Sequence, residues 1–146
     1  PMQATAREDA ILELLVHLQK LEILSDTVKL FSNIKEQEES FTSAAGRGIA
    51  YPHSTSIEVD KFVCVLGLSN HGIDFDSPDG QLCHLILLTI SPQDDPSEHR
   101  KFITRFRTML DNPEIRSQLV DAPVNEEVMN IIMEWEDDEA HNDELA

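Results

Sequence analysis

From Ala6 to Leu21 the apolar residues recur at the spacing of one helical face. Ile11, Leu14, Leu15 and Leu18 stand in line, with Leu12 and Val16 behind them. This predicts a first helix. A second is predicted from Ser25 or Asp26, either of which can cap it, through Val28, Leu30, Phe31 and Ile34 into the polar end or loop "IKEQEES". After Gly46 the period changes. "IAY", "FVCVLGL" from Phe62 and "LCHLILLTI" from Leu82 are short apolar runs, and "SNHG" and "SPDG" read as the turns that bound them. The last two runs are apolar on both alternations, which predicts central strands covered on both faces.

Helix signals return at "DDPSEHRKF". Asp95 is the expected N-cap, Pro96 takes the first helical position and Glu98 stands three after the cap. Phe102, Ile103, Phe106 and Leu110 form the stripe of this helix. "DNPE" closes it and opens a shorter one with Ile115, Leu119 and Val120, and a last helix carries Val128, Ile131, Ile132 and Trp135 on one face. The order of helix pair, strands and helices predicts an α/β fold, a mixed β-sheet flanked by helices on both faces. The length suits one domain, read as residues 1–136, with 137–146 an acidic flexible tail. Pro1 precedes Met2, so the chain reads as trimmed or as a piece of a longer protein.

Charge narrows the function. A formal net charge of −17 repels phosphate backbones and anionic bilayers, which argues against nucleic acid as a partner and against membrane insertion. It steers a partner with a basic face, or serves solubility alone. Cys64 and Cys83 lie in apolar strand-like runs and read as buried free thiols suited to the cytoplasm, with a cross-strand disulfide as the alternative. No apolar run approaches the ~18 residues of a membrane span, and no signal peptide is visible.

Chemistry centres on the histidines. His17 and His141 read as solvated and His71 as a turn residue. Cys83 and His84 are neighbours on a strand and point to opposite faces, so they do not pair; His84 is either a satisfied core histidine or lines a site. His99 falls on the stripe with Phe102, Ile103, Phe106 and Leu110, so it faces the protein one turn into its helix. There the helix dipole disfavours an imidazolium and favours a nearby anion, while a capped core histidine is the plainer account. His53, in "GRGIAYPHSTS", has the strongest local case. Pro52 fixes its own φ and extends Tyr51, so a strand leads rigidly to the ring at its end, and the hydroxyls of Ser54, Thr55 and Ser56 follow. A neutral imidazole is a competent nucleophile toward phosphorus. A bland turn histidine is the other reading.

Other motifs fail. "GRGIAY" lacks the third glycine of a dinucleotide fingerprint, and "GLSNHG" is one residue too long for a nucleophile elbow. "DFDSPDG" places Pro78 at a calcium-ligand position and has no closing glutamate. A metal-dependent hydrolase would need His53, His99 and the loop aspartates to converge, and no ligand spacing supports it. No metal and no cofactor is expected.

"GRGIAYPHS", "GIDFDSPDGQLCHLILLTISP" and "SEHRKFITRFRTMLDNPEIRSQL" together closely resemble the EIIA domain of the fructose/mannitol (type 2) class of bacterial phosphoenolpyruvate-dependent sugar phosphotransferase systems, a family that includes nitrogen-regulatory EIIA proteins. The resemblance runs from the first helix pair to about Val120. It implies the EIIA type-2 phosphotransferase/anion-transport-protein-like fold. It also implies that His53 accepts a phosphoryl group from phosphohistidine on an HPr-type phosphocarrier, and that His99 steadies the phosphoryl oxygens. Ser54, Thr55 and Arg47 are the candidate phosphate contacts. The group would pass to a transporter domain or act as a signal, in the cytoplasm, free or tethered to a membrane transporter in a longer chain.

One departure stands out. Where the family usually carries an arginine-glutamate pair, spacing places Gln37 and Glu38, and Arg47 or Lys35 would have to supply the missing charge. Two readings follow: a phosphoryl carrier working through His53, or a regulatory and binding domain of the same fold with impaired phosphotransfer.

Overall fold

The computed structural model describes residues 2–93, 97–122 and 125–145. By internal contacts the chain divides into two units, Pro1–Arg100 and Lys101–Ala146.

In the first unit, α1 (Arg7–Lys20) buries Ala10, Ile11, Leu14, Leu15 and Leu18, the stripe its spacing predicts. Ile11 and Leu15 are 0% exposed, and each such burial stabilises by roughly 1.5–3 kcal/mol. α2 (Val28–Ser40) starts two residues after Asp26 and three after Ser25, the expected caps. Thr27 stands at the N-cap without a side-chain bond, while Asp26 Oδ1 accepts from the Val28 N–H at 2.9 Å. The polar segment after Ile34 is helical to Ser40. Glu38 within it is buried, and its Oε2 accepts from the Ser43 N–H at 3.0 Å, tying the helix end to the strand that follows.

Among the described residues five strands form one mixed sheet. They are β1 (Ala44–Gly46), β2 (Ile49–Ala50), β3 (His53–Ser56), β4 (Val63–Ile73) and β5 (Cys83–Pro92). β5 is the centre. It pairs in parallel with β2 (Ile49 opposite Leu85) and with β3 (His53 opposite Thr89) along one edge, and antiparallel with β4 along the other. From Leu85 to Ser91 every residue of β5 is buried, as a strand paired on both sides requires. β4 has β5 as its partner alone among the described strands, so the run from Phe62 forms an edge strand and not the predicted central one. Its apolar composition reflects packing, and composition does not report pairing. Ser69 to Gly72, expected as a turn, lie inside β4 where its register slips between Leu68 and Ile73. Gly72 takes φ +86°, and a Cβ there would stand 2.7 Å from the Leu82 Cβ.

His53 begins a strand and does not end one. Pro52 has no N–H to give the ladder, so the chain leaves β5 for two residues after Ala50 and pairs again at His53. The Pro52 carbonyl still accepts from the Thr89 N–H at 3.1 Å. Ile86, Leu88 and Ile90 of β5 join the core of α1 and α2, with Val63 and Val65 of β4 packed against it.

α3 (Ser97–Leu110) follows; the expected cap at Asp95 and Pro96 lies outside the described residues. In the second unit Phe102 and Phe106 stack at 5.8 Å, and Met109 and Leu110 are buried. Asn112 Oδ1 accepts from the Glu114 N–H at 2.9 Å, capping α4 (Pro113–Asp121) with Pro113 in its first turn, as "DNPE" predicts. α5 (Asn125–Leu145) buries Val128 and half-buries Ile131, Ile132 and Trp135, the predicted face. The Arg105 guanidinium stands over the Trp135 ring at 5.9 Å. No described helix is long and apolar enough to cross a membrane.

Candidate functional site

His53 sits at the first position of β3, exposed, on the face of the sheet opposite the α1 and α2 core. Its Nδ1 lies 3.4 Å from the Tyr51 carbonyl oxygen. A carbonyl only accepts, so in this contact Nδ1 carries the proton. Tyr51 is buried, which steadies the acceptor. The arrangement engages Nδ1 with the main chain and leaves Nε2 as the nitrogen outside that contact.

His99 stands beside it, half-buried in the first turns of α3. The two ring centroids are 5.4 Å apart and tilted by 36°. His99 Nε2 lies 3.0 Å from Thr89 Oγ1, and the Phe62 ring lies 5.8 Å away on an inclined plane. Burial first, and the neighbouring His53 second, push the His99 pKa below its ordinary value. A cation there would lack water and face a second ring able to charge, so His99 rests neutral at pH 7.

Register explains the grouping. Thr89 is opposite His53 on one side and opposite Cys64 on the other, so three adjacent strands set these side chains in one row on one face. The two cysteines are free, and Cys83 is buried as expected, its thiol pushed up to about 12 by burial and the nearby charges of Asp79, Glu38 and Asp74. Cys64 is exposed, contrary to expectation, because it lies on the edge strand and points away from the core.

The candidate phosphate contacts divide. Thr55 shares His53's face, exposed, two residues along. Ser54 alternates to the other face, is buried, and gives its hydroxyl to the Thr55 carbonyl at 3.3 Å. Ser56 also turns inward, where its Oγ accepts from the Glu58 N–H at 3.0 Å. The structure places the backbone of Arg47 apart from His53. It occupies the β1–β2 turn at φ +60°, its N–H donating to Asp79 Oδ2 at 3.0 Å. That turn precedes Ile49, which is opposite Leu85, and His53 lies four residues or about 13 Å further along β5. Gln37 and Lys35 are exposed on α2, and the Lys35 charge is felt by Glu8 in α1.

The loop aspartates shape their own loop. Asp74 Oδ1 accepts from the Asp76 N–H, and Asp79 Oδ1 accepts from the Ser77 hydroxyl and the Gln81 N–H. Those donors hold the Asp79 carboxyl below its ordinary range. Among the described residues no group of three or more His, Cys, Asp or Glu is placed to hold a metal ion. His84 is a satisfied histidine, its Nδ1–H donating to the Ser69 carbonyl at 2.8 Å. His17 is exposed on α1, His71 is exposed within β4, and the His141 side chain lies outside the described ones.

Thr89, Phe62 and the Tyr51 carbonyl are the site features that sequence reasoning missed. Thr89 had a signal: a hydroxyl inside a run apolar on both faces must find a partner.

Over residues 1–135 the chain matches the family described as "Phosphoenolpyruvate-dependent sugar phosphotransferase system, EIIA 2". It is 29% identical over 131 residues to the fructose-specific EIIABC component of Bacillus subtilis (strain 168), covering 90% of this chain and 21% of that one. The chain therefore spans about a fifth of that relative's length. Among solved structures, nitrogen regulatory protein IIA-Ntr from Neisseria meningitidis is similar at TM-score 0.80 and 22% identity, over 89% of this chain and 88% of that one. Enzyme IIA mannitol from Escherichia coli, solved in complex with phosphorylated enzyme IIB mannitol, is similar at TM-score 0.74 and 20% identity, over 90% of each chain. At such identities these two likenesses are of fold: an α/β mixed sheet flanked by helices, as expected.

Proposed function

Because the chain belongs to the EIIA 2 family of the phosphoenolpyruvate-dependent sugar phosphotransferase system, we propose that it carries a phosphoryl group on His53. The group comes from phosphohistidine on an HPr-type carrier. It passes to an EIIB-type domain or serves as a regulatory signal. The observation that carries this reading is the pair of close rings, one exposed with Nε2 outside its main-chain contact and the other half-buried beside it. The named complex of enzyme IIA mannitol with phosphorylated enzyme IIB mannitol supports the onward step.

In the transfer, the Nε2 electron pair of His53 forms a bond to phosphorus as the donor's P–N bond breaks and returns its pair to the donor nitrogen. The Nδ1 proton stays in place, bonded to the Tyr51 carbonyl. Little covalent chemistry is asked of the protein. It aligns Nε2 in line with the breaking bond and stabilises charge on the phosphoryl oxygens, which His99 does by hydrogen bonding and by taking up a proton as negative charge arrives beside it. Thr55 is the hydroxyl on the same face. Residues 1–136 act as one such domain, with 137–146 as its tail, in the cytoplasm, free or tethered to a transporter in a longer chain.

Gln37 favours a second reading, a regulatory domain whose phosphotransfer is weakened, because it is uncharged where the family carries arginine. One experiment separates the two. The protein is incubated with phosphoenolpyruvate, Enzyme I and a panel of HPr proteins, and intact mass is read under alkaline conditions. The carrier reading expects a single phosphate-sized increase, absent in His53→Ala and formed on the order of 10²-fold more slowly in His99→Ala. No increase with any competent donor overturns it in favour of the regulatory domain.

A further inference from the structure

Thr89 is 1% exposed, in the middle of the strand that holds the sheet together. At that exposure an apolar residue of the same shape would fill its place. Its hydroxyl is therefore not needed for packing. A buried hydroxyl costs free energy unless it is bonded, and this one meets His99 Nε2 at 3.0 Å. The backbone of the same residue reaches the other histidine. Its N–H donates to the Pro52 carbonyl at 3.1 Å, immediately before His53, and its Cα is the register partner of His53. One residue thus anchors both rings, His53 through the main chain and His99 through the side chain.

Resting on the carrier reading above, we infer that Thr89 is a positioning residue: its hydroxyl holds His99 by Nε2 and so keeps Nδ1–H as the donor available to a phosphoryl group on His53. A hydroxyl suits this because it donates or accepts by rotating about its C–O bond. Toward a neutral His99 it donates its proton to Nε2, and the ring's single proton then resides on Nδ1. When His99 takes up a second proton, Nε2–H donates and the hydroxyl accepts. Nδ1–H is present in both states, so the donor does not change as the charge on His53 does. The lowered basicity of His99 agrees with a neutral resting ring; the titratable side chains that face this group from the sheet are His53 on β3 and Cys64 on β4. Phe62 limits the ring from another side.

The test uses the full chain, with Thr89→Val as the shape-conserving variant and Thr89→Ser to restore the hydroxyl. The first readout is the ¹⁵N spectrum of the imidazole rings in the unphosphorylated protein, which reports the tautomer directly. The wild type and Thr89→Ser should hold His99 with its proton on Nδ1, and Thr89→Val should lose that preference. A wild-type His99 protonated on Nε2, or a spectrum unchanged in Thr89→Val, overturns the inference. The second readout is the rate of phosphohistidine formation, expected to fall about tenfold in Thr89→Val and to recover in Thr89→Ser. An unchanged rate in Thr89→Val overturns the role in transfer even if the tautomer moves. A wild type that takes no phosphate from any donor sinks the carrier reading itself, and the tautomer readout then decides the Thr89–His99 linkage alone. Thermal unfolding of each variant identifies a loss that comes from misfolding, and Thr89→Ser must rescue for the inference to stand.

Discussion

His99 is where a single residue couples chemistry to stability. Unfolded, it titrates near 6.5; folded, burial and His53 hold it lower. Below about pH 6.5 the unfolded chain therefore binds more protons than the native one, and stability falls until the folded pKa is reached. Above that window the contribution of His99 is flat. The prediction is differential. Between about pH 7.5 and about pH 5.5 the urea midpoint should drop further for the wild type than for His99→Gln, which has no proton to gain. Equal drops would contradict the proposed environment of the ring. At this scale the sequence announces the placement of two residues and hides that of two others. Pro52 marked His53, and the stripe of its helix marked His99. The inward turn of Ser54 is hidden because alternation applies only once a strand is known, and "HSTS" has no apolar residue to announce one. The backbone separation of Arg47 from His53 is hidden because nearness in sequence ignores that β2 and β3 follow β5 end to end.

The elements divide by how much of their structure depends on partners. α1 and β5 are read correctly from composition, since a stripe on one and apolar residues on both faces of the other state their burial. β3 exists because β5 offers it a ladder, which no local pattern reveals. "SNHG" carries turn residues, yet the chain uses them for an irregularity inside β4. Two glycines with the same backbone sign make this testable. Gly80 has φ +72° and open space where a Cβ would be, so Gly80→Ala should cost about 1 kcal/mol from the backbone alone. Gly72→Ala adds a 2.7 Å approach to the Leu82 Cβ and should cost at least about 1 kcal/mol more. Urea unfolding of the two variants compares them. Equal losses would mean that β4 and Leu82 have room to separate, contrary to the packing of the irregular register.

In the whole molecule, His53, Phe62, Thr89 and His99 all belong to the unit Pro1–Arg100, so the candidate site is assembled within one of the two parts of the chain. The net charge of −17 suits docking to a carrier with a basic face and is poorly suited to a phosphate backbone. A mixed sheet places the His53 ring on its exposed face, and family membership suggests the class of reaction proposed for it. The central claim is chemical and local: phosphate is carried on Nε2 of His53, because the Tyr51 carbonyl holds the proton on Nδ1. Long-range ¹H–¹⁵N correlation spectra of the protein phosphorylated by its carrier identify both the ring and the nitrogen. The account predicts one phosphohistidine, at His53, with phosphorus on Nε2 and the proton retained on Nδ1. Phosphorus on Nδ1 of His53, or on His99, would contradict it.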